Sequence, residues 1–394
     1  MLALDTTLTH EGEAADAKAT GDAISAVKAR QNVLVGSETG NPIAVDDAFS
    51  APLCGLTVYG KSTQDGTPTP DAPVPIVSAG DGGSVAVKVT GKNRMPPNLK
   101  VHDVVECFVR KNTPITLVFK GDLVSQGGNI LFFDENNNQN WFGIDAGKAE
   151  HHITYPVDVT KFQYLLSNMA SENVCLTWNA SSPDYEPYRE QLLTLPTPTG
   201  LPGIPVTSGG NYTDPQGQQW VCDEVDLERG VKVQRLKSRR ILSSEVNDAI
   251  LGANSCYIIE QNIARPANNG QIGHLMCTHL ERASWSSVVD KGAQGICVIS
   301  NQPYIGITIQ GFKSANEYKD FIDKNEVGLA YQLATPIKTP LTPAEIAAYK
   351  ALTAYGPDTV VQAGDGAGIR LEYQRDVNIA IKRIEDAIAS MTTT

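Results

Sequence analysis

The chain has 394 residues, enough for about two to four domains with sizeable cores. Hydrophobic residues make up 41% and charged ones only 19%, and the 34 glycines and 23 prolines favour β-structure joined by turns over a helical bundle. With 32 basic against 44 acidic residues the net charge is −12, which argues against tracking a nucleic-acid backbone or an anionic membrane.

No apolar run reaches the length of a membrane span, and MLALDTTLTHEGEAADAK lacks a basic region followed by an apolar core. The chain is therefore expected neither to insert in a membrane nor to follow the conventional secretory route. Residues 11–30 are Ala-rich and free of Pro, with Thr9, Glu11 and Glu13 at the front as a capped helix requires. The apolar stripe of that helix is thin, so the expectation is that it packs against copies of itself or another chain.

Gly55–Ser62 fits the phosphate-loop pattern GxxxxGKS. Its middle residues, Leu-Thr-Val-Tyr, read as strand, and the following TQDGTPTPDAP cannot open the helix that a phosphate loop needs, so nucleotide binding is set aside. Proline-dense stretches at 67–75, 195–205 and 335–343 predict stiff connectors that mark domain boundaries. Between the first two lie short β-branched or aromatic runs, including SVAVKVTG, DVVECFVR, ITLVFKGD, NILFFDE, FQYLLSN and NVCLTWN, separated by polar turns such as ENNNQN. They predict a β-sandwich.

Several residue groups in this region suggest chemistry. Asp134, Asn136, Asn138, Asn140 and Asp145 have calcium-loop spacing, but Gln139 stands where the sharp turn needs Gly, and a polar hairpin tip is the reading preferred. Trp141, Phe142 and Tyr155, beside Asp134, Asn136 and Asn138, form a candidate carbohydrate site: aromatic faces stack on sugar rings while amides and carboxylates bond hydroxyls. The alternative places those aromatics in the core. His151-His152 has no companion cluster and reads as a polar pair facing solvent.

A second β-rich block runs from about Arg240 to Leu333, with strands CYIIEQNI, GICVIS, YIGITIQ and VGLAYQLA and a helical stretch ANEYKDFIDKN. His274, Cys277 and His279 offer zinc ligands, but strand alternation sets 274 on the opposite face from 277 and 279, so no metal is expected. TPAEIAAYKALTAY at 342–355 reads as a capped helix. At the C-terminal end Val377, Ile381, Ile384, Ile388 and Met391 are spaced 4, 3, 4, 3, the seam of a short coiled coil whose Ile content favours trimers or tetramers over dimers. The alternative is an amphipathic helix packed on its own domain.

No G-x-S-x-G elbow, H-E-x-x-H motif or local Cys–His pair points to catalysis, and no cofactor motif appears. Acidic pairs at Asp46-Asp47, Asp134-Glu135 and Asp223-Glu224 keep a glycosidase as an alternative, since such an enzyme needs only two carboxylates brought together by the fold. The seven cysteines are scattered without a C-x-x-C pair, as suits reduced, mostly buried thiols.

The order of the blocks TTLTHEGEAADAKATGDAI, GLTVYGKSTQDGTPTPDAPVPI, GNILFFDENNNQNWF ending in SPDYEPY, GLPGIPVTSGGNYTDPQGQQWVCDEVDLERGV and VGLAYQLATPIKTPLTPAEIAAYKAL resembles tail and baseplate minor structural proteins and receptor-binding fibres of siphophages infecting Gram-positive bacteria. The resemblance implies a non-enzymatic virion tail component assembled in the host cytoplasm. It further implies a homotrimer partnered by other tail or baseplate proteins and by host cell-surface polysaccharide, with a jelly-roll module similar to carbohydrate-binding modules between about Gly91 and Tyr188. A tailspike depolymerase and a purely structural baseplate scaffold are the alternatives.

The expected organisation is mainly β. A helical attachment segment at 1–35 leads into a β-rich arm at 36–92 and the jelly-roll-like sandwich at 93–190. A Pro/Gly-rich β linker at 191–238 follows, then a second β domain at 239–340, a helix and β extension at 341–373, and a coiled-coil helix at 374–394.

Overall fold

The computed structural model describes residues 48–109, 111–120, 128–134, 136–167, 169–178, 185–252 and 254–379, together with 4–5, 14–15, 34–37, 43–45, 381–382 and 385. The chain is mainly β, with curled sheets that are antiparallel throughout 48–379 and α-helices at Ala315–Asn325 (α1) and Pro343–Lys350 (α2).

A central body is made of two sheets. The larger runs, in spatial order, Leu275–Cys277, Gly328–Pro340, Val231–Arg240, Glu224–Asp226, Cys54–Tyr59, Gly368–Glu372 and Leu34–Ser37. The smaller runs Glu190–Thr197, Gly83–Thr90, Thr359–Ala363 and Ile43–Val45. In the strand GSVAVKVT, Val85, Val87 and Val89 point one way and are fully buried, while Ala86 and Lys88 between them are only half-buried, which is the period-two signature of a sheet with one buried face. These valines meet Leu56, Val58, Val361 and Ile369 in one core. Helix α2 closes it with Tyr349, held at its start by Thr342, whose Oγ1 accepts from Glu345 N (3.2 Å) while Glu345 Oε2 accepts from Thr342 N (2.7 Å).

Two modules are inserted into long hairpins of this body. Strands Gly83–Thr90 and Glu190–Thr197 pair from Thr90↔Glu190 to Gly83↔Thr197, so everything between them loops out and back at one point. That loop is a two-sheet sandwich. Its four-stranded sheet orders Gln139–Ile144, Gly128–Asp134, Val159–Tyr164 and Val104–Val109, and the facing sheet orders Glu150–Thr154, Pro114–Phe119 and Val174–Trp178. Ile115, Leu117, Ile130, Phe132, Phe162 and Leu176 fill the space between. Likewise Val231–Arg240 pairs with Gly328–Pro340 down to Arg240↔Gly328, and residues 241–327 form the second insertion. Its three-stranded sheet (Cys256–Ile259, Tyr304–Thr308, Gly295–Val298) and α1 share a core with Tyr331 of the hairpin. Leu275–Cys277 returns from this insertion to the edge of the seven-stranded sheet, with Leu275 opposite Tyr331.

The proline-dense stretches do not act as connectors between domains. Pro196 sits in a strand opposite Ser84, Pro205 sits opposite Trp220, and Pro336 and Pro340 belong to the strand Gly328–Pro340, whose register shifts opposite Gln234 and Leu236. Proline is tolerated in such strands at bulges and wherever the ladder asks for no N–H. Residues 67–75 are irregular, but they join Ser62–Thr63 to Val77–Ser78, which pair with each other. Segments expected as an arm, a linker and an extension instead share the central core.

Of the expected N-terminal helix over 11–30 only Ala14–Ala15 is described, as a two-residue strand parallel to Leu4–Asp5; the remainder lies outside the described residues. At the other end residues 377–379 and 381–382 are helical, with Val377 62% and Ile381 48% exposed. Ile384, Ile388 and Met391 lie outside the described residues. No described helix is long and apolar enough to cross a membrane.

Candidate functional site

The strand Gln139–Ile144 (QNWFGI) alternates, with Phe142 and Ile144 turned into the sandwich core and Trp141 and Gly143 outward. Trp141 is 60% exposed. Phe142 and Tyr155, each 8% exposed, are core residues, which corrects their reading as surface aromatics. Adjacent strand residues cannot share a face, so an outward Trp141 forces Phe142 inward, edge-on to His151 with centroids 6.1 Å apart. Tyr155, just past the strand Glu150–Thr154, packs on Phe132 with centroids 5.4 Å apart, and burial alone pushes its hydroxyl pKa up.

The hairpin tip is held by Asp134. Its Oδ1 accepts from the backbone N–H of Asn136 (2.9 Å) and Asn138 (2.8 Å), its Oδ2 accepts from Asn138 Nδ2 (2.8 Å), and Asn137 takes a left-handed conformation at φ 60°. The Asn138 amide, with these backbone bonds, holds the Asp134 carboxyl below its ordinary value. Asp134 and Asn138 thus brace the turn, while the Asn136 side chain makes no hydrogen bond among the described residues. The calcium-like array does not converge. Asp145 lies at the far end of the strand, where its carboxylate pairs with Lys148 (2.5 Å) and its N–H donates to His151 Nε2 (2.9 Å). Nor does the zinc-like array: His274 Nδ1 meets Gln332 Oε1 at 2.6 Å, His279 Nδ1 meets Thr278 Oγ1 at 2.8 Å, and Cys277 is buried between them. No group of three or more His, Cys, Asp or Glu among the described residues could hold a metal ion.

Strand register shows what accompanies Trp141. Across the outer face of the four-stranded sheet it lines up with Leu131, Gln163 and Val104, and the next row is Gln139, Phe133, Lys161 and Glu106. Lys161 Nζ stands 5.3 Å from the Phe133 ring centroid, and Gln163 Nε2 donates to His102 O (3.0 Å). Asn129 lies opposite Gly143, whose missing side chain leaves room beside the indole. The result is an outer face with an exposed indole beside the buried Leu131 and near the half-buried Phe133, with amide groups around it, an arrangement suited to the C–H face and hydroxyls of a saccharide. Leu131, Phe133, Lys161 and Gln163 escaped the sequence reading. The signal was present in NILFFD, where 129, 131 and 133 share the parity opposite to the core residues 130 and 132.

Of the remaining chemical candidates, Asp46, Asp47 and Glu135 lie outside the described residues, and the others described have structural partners. Gly55–Ser62 spans the strand Cys54–Tyr59 and opens no helix. The Asp223-Glu224 pair is buried: Asp223 Oδ1 accepts from the N–H groups of Arg235 (2.6 Å) and Leu236 (2.8 Å), and Glu224 Oε1 pairs with Arg235 (3.1 Å) and Arg229 (3.3 Å). All seven cysteines are free thiols, with Cys54 exposed and the others buried. Compared with protein-family models, with curated proteins and with solved structures, the chain matches none.

Proposed function

We propose that the chain is a non-enzymatic virion tail component, a fibre or baseplate protein, that adheres to host cell-surface polysaccharide through the outer face at Trp141. The observation that carries the reading is the indole itself: a large aromatic held on a rigid strand, 60% exposed, beside amide groups and above Leu131. Most successive strands of the sandwich cross between its two antiparallel sheets, the hairpin Gly128–Asp134/Gln139–Ile144 excepted, which supports reading it as a jelly-roll-like module similar to carbohydrate-binding modules. The virion context rests on the order of sequence blocks. Exposed Val377 and Ile381, four residues apart, support a seam between copies, and a homotrimer would turn three weak sugar contacts into firm attachment.

The test is incubation of the purified protein with cell-wall polysaccharide from Gram-positive cells to which it adsorbs. Bound, intact polysaccharide, with binding lost in Trp141→Ala, is the expected result. Shortened polysaccharide would instead make the chain a depolymerase, and no association would make it a scaffold.

A further inference from the structure

A cavity of about 440 Å³ opens where the second insertion meets the central body, between the residues after Gly203–Val206 and the segments 264–267 and 271–274. Its size falls in the usual range for small-molecule sites, about 300–1,000 Å³. Its charge runs against that of the protein. On a chain of net charge −12, the lining holds Arg265, His274 and Arg282 and no aspartate or glutamate.

The two arginines differ from five others of the central body and its edges. Arg229, Arg235, Arg239, Arg240 and Arg370 each hold a carboxylate. Arg282 is half-buried, yet its one hydrogen bond among the described residues runs from Nη2 to the Pro205 carbonyl (2.8 Å), and it forms no ion pair there. Arg282 lines this cavity and is not among the described residues with a fully buried, unpartnered side-chain donor. Burial pushes the guanidinium below its ordinary pKa, the sign of a charge short of solvent and of counter-charge. Two adjoining cavities, of about 300 and 480 Å³, also touch Arg282; Glu281 borders only the latter. Arg265 is exposed and makes no side-chain hydrogen bond or ion pair among the described residues. Thr207, Ser208 and Gln271 add polar groups to the lining, and Ile272 an apolar surface.

We propose that this cavity binds the oxyanion of an acidic saccharide unit, a phosphate or a carboxylate, between Arg282 and Arg265, with Thr207 and Ser208 placed for its hydroxyls. A planar guanidinium offers parallel donors to either anion, and such charge-assisted bonds are about twice as strong as neutral ones. One wall of the cavity belongs to the body and the other to the insertion, so a bound anion bridges the two. The oxyanion site is separate from the Trp141 face, while the saccharide class of its ligand rests on the glycan-adhesion reading above.

Calorimetric titration of the full chain with glycerol phosphate, with glucuronate and with glucose tests it. Binding of at least one of the two anions, and none of glucose, is expected, and which anion binds identifies the oxyanion source. Arg265→Gln and Arg282→Gln should each weaken that binding on the order of tenfold or more. Because Arg282 also bonds the Pro205 carbonyl, the exposed Arg265→Gln decides the matter if Arg282→Gln does not fold. Absence of binding by both anions, equal binding of glucose, or anion binding undiminished in a folded Arg265→Gln variant would overturn the proposal.

Discussion

The backbones of Gly60 and Gly203 are pressed together: a Cβ on Gly203 would stand 2.2 Å from the Gly60 carbonyl oxygen, and one on Gly60 would stand 2.2 Å from the carbonyl oxygen of Leu201. Here the strand Cys54–Tyr59 passes beside the small sheet Gly203–Val206, Gln219–Cys222 and Tyr212–Thr213. Gly60 N donates to Asp223 O (2.8 Å), Asp223 N to Pro202 O (3.0 Å), and Gly203 N to Ser62 Oγ (3.1 Å). The glycine that completes the phosphate-loop pattern is therefore required for packing two chain segments.

Gly203→Ala is expected to cost about 2–3 kcal/mol, because the obstacle is main chain that is itself hydrogen-bonded and cannot shift cheaply. Gly82→Ala, where a Cβ meets nothing within 4 Å, is the control and should fall within about 0.5 kcal/mol of the parent. Denaturant titration of the two variants reads the difference. Equal midpoints would mean that the contact relaxes without cost.

Asp223 predicts an unusual pH dependence. Burial raises its carboxyl to about 7 from an ordinary 3.8, against the opposing pull of the Leu236 and Arg235 N–H bonds. A folded-state value above the unfolded one means that the native protein holds this proton more tightly. Its contribution is thus fully present at low pH and declines as the pH rises from about 4 to 7, with a slope of up to about 1.4 kcal/mol per pH unit. The carboxylates of Glu190, Glu260 and Glu345 are held below their ordinary values, despite burial that opposes the shift, by bonds from Tyr188 and Lys88, from Arg239, and from Lys232 and Thr342 respectively. They act with the opposite sign, losing stability as the pH falls through the acid range. Asp223→Asn keeps an acceptor for both N–H groups without the charge, so chemical denaturation between about pH 4 and 7 should show a flatter profile than the parent. Parallel profiles would mean that Asp223 ionises normally.

The C-terminal seam predicts three chains per particle by mass measurement in solution. Val377 and Ile381 already stand exposed on the first helical turns, and the 4, 3, 4, 3 spacing continues through Ile384, Ile388 and Met391. Ile384→Asp combined with Ile388→Asp should break the assembly, since each would bury an unpaired charge at the seam. A parent protein that runs as a monomer at micromolar concentration would remove the multivalent part of the proposed function.

The sandwich strands were readable because each is a short apolar run bounded by polar turns: ITLVFKGD became Pro114–Phe119, NILFFDE became Gly128–Asp134, and NVCLTWN became Val174–Trp178. The central body was not readable, because its sheets join strands more than 200 residues apart, such as Cys54–Tyr59 with Gly368–Glu372, and no local signal encodes that pairing. Proline misled for the same reason. Its local preference for extended backbone fits a connector and a bulged strand equally, and only the partner strand decides between them. Likewise Arg265 and Arg282 share a cavity because Leu275–Cys277 returns to the sheet between them.

Trp141 and Phe142 give the sharpest test of the candidate face, since neighbouring aromatics on one strand should respond oppositely. Phe142→Ala empties part of the sandwich core and should cost about 3–5 kcal/mol. Trp141→Ala removes an outward side chain and should leave stability within about 0.5 kcal/mol. Fluorescence quenching supplies an independent reading. Of the four tryptophans, Trp178 and Trp220 are buried, the latter donating through Nε1 to Asp214 Oδ2 (2.9 Å), and Trp285 is half-buried. A small neutral quencher should therefore reach Trp141 first, and the most readily quenched fraction should vanish in Trp141→Ala. Protection of that fraction by polysaccharide in the parent protein would place sugar on the indole. If the fraction persists in the variant, or if Trp141→Ala destabilises the protein as much as Phe142→Ala does, the indole is packed rather than presented, and the saccharide reading loses the residue on which it stands.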